Sequence, residues 1–148
     1  MGREGAVPCR LGARPLWVPP ALAALAYAAT GLLGTGIAGG PPSLADSPVD
    51  GGRTAPLTPG SGVAVFWVQI YGARADDLEE ARLIGPDGRV LAERQSRLSR
   101  HRAQWLVYAG ARRRGPAWPA GRYRGEYALY RGPNREKVVA VTRELTLQ

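Results

Sequence analysis

The sequence predicts an all-β chain: a single antiparallel β-sandwich over residues 63–148, preceded by an apolar segment and a Pro/Gly-rich linker. Three observations carry that expectation. From Val63 onward, apolar side chains recur at every second position in six or seven short stretches. Turn sequences (GPDG, PAG and GPN) fall between those stretches. No part of the region repeats with the roughly 3.6-residue period of a helix lying on a core.

The strands follow in order. Val63, Val65, Trp67, Gln69 and Tyr71 alternate with Ala64, Phe66, Val68 and Ile70. Both sets are largely apolar, so this strand is expected inside a sheet and covered on both faces. Residues 80–84 and 89–93 flank GPDG and predict a hairpin. Pro86 suits the first corner of a type I turn, and Gly88 suits the left-handed position that follows. Residues 98–102 read as a connection or a short strand, and in 103–109 Trp105, Val107 and Ala109 alternate with Gln104, Leu106 and Tyr108. A basic loop from Arg112 to Pro119 leads through WPAGRY into a strand. There Tyr123, Gly125, Tyr127 and Leu129 share one face, and Arg122, Arg124 and Glu126 share the other. GPNRE makes the last turn, and Val139, Val141, Leu145 and Leu147 line the closing strand. Two antiparallel layers bury such strands, so the expected fold is an immunoglobulin-like sandwich. Its expected core is Val65, Trp67, Trp105, Val107, Tyr123, Tyr127, Leu129, Val139 and Val141.

Upstream, residues 1–15 form a basic tail and residues 16–40 an apolar segment without a charge. Arg3, Arg10 and Arg14 before an apolar run fit a signal or an anchor, with cleavage near Ala38 or after Ala45 and the domain on the outer side. Pro19, Pro20 and five glycines between Gly31 and Gly40 dilute the run, so a short helix packed on a neighbouring domain is the other option. Both stay open. Contact with a membrane is expected only through residues 16–40. Residues 41–62 have no period and read as linker.

The formal net charge is +8, and Lys137 is the sole lysine among the basic residues. The arginines are scattered, without the stripe or motif of a nucleic-acid-binding domain, so nucleic acid is not an expected partner. Only Arg112, Arg113 and Arg114 form a run. With Trp118 close by, they are the expected contact surface, suited to an anionic polymer. The single cysteine, Cys9, excludes an internal disulfide. It also precedes the apolar run, whereas a lipoprotein cysteine follows one.

Catalytic chemistry finds no footing. Metal-assisted hydrolysis needs several His, Cys or carboxylate ligands brought together. The chain has one histidine, His101 in RLSRHR, and no HExxH, HxH or CxxC. Ser96 and Ser99 lack a GxSxG setting. The dense acidic group Asp76, Asp77, Glu79 and Glu80 would have to supply any carboxylate pair. It lacks the alternation of a calcium loop and reads as a solvated turn. No catalytic residue, cofactor or metal is therefore expected.

Three groups of residues together carry a family resemblance. They are LW with LAYAATGLLGTGIAGGPPS, then VFWVQIYGARADD with LIGPDGRVLAE, then AGARRR, WPAGRYRGEYALYR and VTRELTL. In this order, from about Cys9 to the end, the chain resembles the C-terminal accessory extension behind the catalytic domain of some LytM/lysostaphin-type murein metalloendopeptidases (peptidase family M twenty-three). The zinc motifs of that family, HxxxD and HxH, are absent, so no ligand carries over. The resemblance implies a non-catalytic accessory domain of the periplasm or cell envelope. Its implied partners are a murein peptidase catalytic domain or an anionic cell-wall polymer. It also implies that residues 16–40 belong to mature protein, with Met1 an internal start or the gene a remnant of a longer one. A free-standing exported or signal-anchored envelope module is the alternative. A zinc endopeptidase fragment that lost its catalytic domain is the third option, and a cytoplasmic location is left open.

Overall fold

The computed structural model describes residues 29–41 and 54–148. Among them are seven strands and no helix: β1 (Gly31–Ala38), β2 (Val63–Ala73), β3 (Leu78–Ile84), β4 (Val90–Arg97), β5 (Arg102–Arg112), β6 (Gly121–Arg131) and β7 (Glu136–Leu147). They form two antiparallel sheets, a three-stranded one in the order β1-β2-β5 and a four-stranded one in the order β4-β3-β6-β7. The chain crosses between the sheets after β2, β4 and β5. This is an immunoglobulin-like β-sandwich in which the fourth strand pairs with the third.

The core lies between the sheets, and β2 supplies its centre. Ala64, Phe66, Val68 and Ile70 point inward and are completely buried. Opposite them stand Ala81 and Leu83 of β3, Tyr123, Tyr127 and Leu129 of β6, and Val139 and Leu147 of β7. Phe66 meets no side chain at Gly125, because a β-carbon there would overlap the phenyl ring. A larger residue at this one position on β6 would force the two layers apart.

The apolar segment differs from expectation. Residues 31–38 are a sandwich strand, paired antiparallel with β2 from Gly31 opposite Tyr71 to Ala38 opposite Val65. The sandwich therefore begins well before residue 63. Ile37 packs on the core, and Ala38 is buried, so cleavage at Ala38 would cut away β1. The glycines that dilute the run have a packing use. A β-carbon on Gly36 would stand 2.9 Å from the Trp67 indole nitrogen, so the ring lies over a strand with little relief. That contact also relocates two expected core residues. Val65 and Trp67 are buried on the outer face of the three-stranded sheet, not between the layers, because inward positions on β2 are the even-numbered ones. Trp105 and Val141 are half-buried at the margin of the core. The readings of residues 1–28 and 42–53 lie outside the described residues.

Part of the expected linker also belongs to the domain. Leu57 is buried in the core cluster, and the Gly39 amide donates to the Ala55 carbonyl at 2.7 Å. Trp118 closes this end of the sandwich. Its amide donates to Pro59 O at 2.9 Å, its indole N–H donates to Ser61 O at 2.8 Å, and its ring meets Tyr123 edge-on at 6.4 Å. The Tyr123 hydroxyl donates to Pro119 O at 2.7 Å, four residues upstream. This is the tyrosine corner that pins the loop entering the sixth strand of such sandwiches. The GPDG hairpin forms with Gly88 at φ +80° and its amide on Gly85 O at 3.0 Å.

The contact between Phe66 and Gly125 sets the first expected outcome. Gly125→Ala should cost about 1–3 kcal/mol through overpacking, read as a lower urea midpoint at unchanged slope. Phe66→Ala alone should cost about 3–5 kcal/mol. The double variant should cost clearly less than the sum, because the second change makes room for the first. Strict additivity would show that the ring does not rest on this backbone.

Candidate functional site

The acidic group is not a solvated turn. Asp76 and Glu80 remain accessible, but Asp77 and Glu79 are 1% and 0% exposed. The inward alternation of β3 continues back through them, so Leu83, Ala81, Glu79 and Asp77 all face inward. Each carboxylate is fully engaged. Asp77 takes both arms of Arg131, Nε to Oδ1 at 2.9 Å and an η-nitrogen to Oδ2 at 2.8 Å, and also the Arg74 amide at 2.8 Å. Arg131 donates further to Thr30 Oγ1 at 3.0 Å, and that hydroxyl donates to Gly72 O at 2.8 Å. The clasp joins both sheets to the segment entering β1.

Glu79 accepts only neutral donors: Ser96 Oγ at 2.7 Å, Trp105 Nε1 at 3.0 Å and Tyr127 OH at 3.2 Å. The Arg102 guanidinium sits over the Trp105 ring, 5.1 Å from its centre. Burial, reinforced by Glu79 beside it, pushes the Tyr127 hydroxyl far above its ordinary value, so it stays a donor. For Asp77, burial alone would raise the carboxyl. The Arg131 fork and the Arg74 amide outweigh it and hold the group below its ordinary value. No buried side-chain polar atom among the described residues lacks a partner. Both carboxylates thus tie the fold together at this end.

The arginine run lies at the opposite end of the molecule's exposed edge. Arg112, Arg113 and Arg114 leave β5 and line a cleft of about 830 Å³ with Arg89, Leu91 and Trp118. The structure thus brings all four expected contact residues to one place, with different parts to play. Trp118 is 7% exposed and serves mainly as the wall. Arg113 is tied down, its amide on Gly62 O at 2.8 Å and its guanidinium on Gly60 O at 2.6 Å. Arg112 and Arg114 are exposed and have no ion-pair partner among the described residues. Arg89, which sequence reasoning did not single out, reaches the same cleft from the GPDG hairpin and pairs loosely with Asp87 at 3.5 Å. Every ionisable residue lining the cleft is an arginine.

His101 is exposed on the β4–β5 connection. Cys9 lies outside the described residues, and among those described no three His, Cys, Asp or Glu side chains cluster in a way that would hold a metal ion.

No family model matches the sequence, and no curated protein sequence does. Solved structures do match. A glycosyl hydrolase family 2 member from Bacteroides cellulosilyticus aligns at a TM-score of 0.45 and 10% identity, over 80% of this chain and 15% of that one. A Bifidobacterium dentium β-glucuronidase aligns at 0.44 and 11%, over 80% of this chain and 18% of that one. A putative β-galactosidase from Bacteroides fragilis aligns at 0.35 and 15%, over 56% and 13%. The chain spans less than a fifth of the length of each.

The Asp77 clasp predicts an acid limb in stability. The folded pKa is depressed, so the stabilisation is fully present above the ordinary value of about 4 and is lost as pH falls through the lower folded value. Asp77→Asn should flatten that limb in thermal melts taken from pH 6 downward. It should also cost about 2 kcal/mol or more at neutral pH, less than for a fully buried pair because the Arg131 side chain is 22% exposed.

Proposed function

We propose that this β-sandwich is a non-catalytic accessory domain of a cell-envelope murein peptidase, and that it holds anionic wall polymer in the cleft beside Arg112 and Arg114. The observation that carries the reading is the cleft itself, in which all the ionisable lining residues are arginines. Guanidinium groups present a planar fork of donors that matches phosphate and carboxylate oxygens. A net charge of +8 favours approach to a polyanion. The sequence resemblance supports the envelope setting. No helix among the described residues is long and apolar enough to cross a membrane.

The test uses Arg112→Ser with Arg114→Ser, leaving Arg113 in place because it braces the loop at Gly60. Two exposed ion contacts contribute up to about 1 kcal/mol each, so retention on teichoic-acid-bearing wall should fall roughly fivefold to thirtyfold, and more salt should weaken the parent in the same way. Retention unchanged by the double substitution would remove the site. The peptidase association predicts a zinc-peptidase reading frame directly upstream in the DNA, and an unrelated gene there would remove that part.

A further inference from the structure

The cleft at Arg112 does not end at the loop. It opens onto a shallower depression of about 460 Å³, the two sharing Gly110, Ala111 and Arg112 as walls. Arg94 then lines both that depression and a narrow one of about 170 Å³ at the far end. There Arg97, Arg100 and Arg102 surround the edge of Trp105. These hollows follow one another along β4, the edge of the four-stranded sheet, and β5, the edge of the three-stranded sheet, and the middle one also spreads across β5 onto Val63 and Val65. Along the whole course Glu93 is the one carboxylate among the lining residues, and it faces Arg82 across the sheet at 3.5 Å. Asp87 stands beside one end, paired with Arg89. Arg94, Arg97 and Arg100 are exposed and have no ion-pair partner among the described residues.

We infer that the β4–β5 edge is a single groove for an extended, flexible polyanion of the polyol-phosphate kind, with an arginine cluster at each end. The inference rests on the anionic-polymer reading of the Arg112 cleft and adds its length and a second anchoring cluster. The two ends of β4, Val90 and Arg97, stand about 23 Å apart with Arg94 between them, so one phosphate cannot reach from Arg112 to Arg97. The narrow end, about 170 Å³, is of a size for a phosphate group and far too small to take in a base-paired duplex. Single-stranded nucleic acid needs a succession of aromatic faces. Here Arg102 covers Trp105, Trp118 is buried, and Tyr108, 42% exposed, stands alone midway.

Binding of long-chain poly(glycerol phosphate) and of a glycerol-phosphate dimer, followed by calorimetry on the full chain, tests this. Two variants are compared, R112S/R114S and R94S/R97S/R100S, with melting curves confirming that each folds. Long polymer should bind much more tightly than dimer, and each variant should weaken the long polymer roughly tenfold. If only R112S/R114S weakens binding and chain length has no effect, the groove is overturned and the single-cleft reading stands. If neither variant weakens binding, the cleft reading falls as well. Duplex or single-stranded DNA binding as tightly at equal salt would overturn the polyol-phosphate occupant.

Discussion

The ring of Phe66 lies directly against the backbone of Gly125, and the two sheets are spaced by that contact. A β-sandwich core is filled from both layers, and its thickness follows from the side chains that meet across it. Here the central strand of one sheet puts its largest inward residue opposite a position with no side chain. Neighbouring contacts inherit that spacing. Val68 and Ile70 are completely buried in the same cluster, Tyr127 presents its hydroxyl to Glu79, and Tyr123 folds back onto Pro119. The same device recurs outside the sandwich, where Trp67 lies over Gly36 and covers β1. Large aromatic rings on β2 thus seat β1 and β6 through glycine.

A second constraint is polar. Burying two carboxylates at the inward end of β3 is costly unless each finds its donors. Asp77 solves the problem with charge, through the two-pronged Arg131 contact that also gathers Thr30 and Gly72. Glu79 solves it with three neutral donors from β4, β5 and β6. These donors come from separate strands and both sheets, so the pairs specify how the layers register at this end. Together with Trp118 at the other end, they hold the two layers against each other.

The β4–β5 edge carries Arg94, Arg97, Arg102 and Arg112, and charge has a structural use there. Edge strands expose unpaired backbone groups and invite pairing with another chain, and charge along the edge opposes it. In the groove we propose, the same charge would also favour a polyanion.

The sequence alone determined the all-β class, the hairpin at GPDG, the faces of β6 and β7, and the absence of the HxxxD and HxH zinc motifs. These are local properties: alternation, turn chemistry and residue inventory require no knowledge of what lies across the fold. The tertiary structure decided the rest. Gly31–Ala38 reads as a diluted apolar run until Trp67 is seen to need a strand without side-chain relief beside it. Trp67 and Val65 could not be assigned to a face while both faces of β2 were apolar. Asp77 and Glu79 look solvated because their side-chain partners come from 17 to 54 positions away. The arginines looked scattered for the same reason. Arg112 joins Arg89, just before β4, and Arg94 and Arg97 along it, only because β4 and β5 end neighbouring layers, and sequence distance does not report which strands lie side by side.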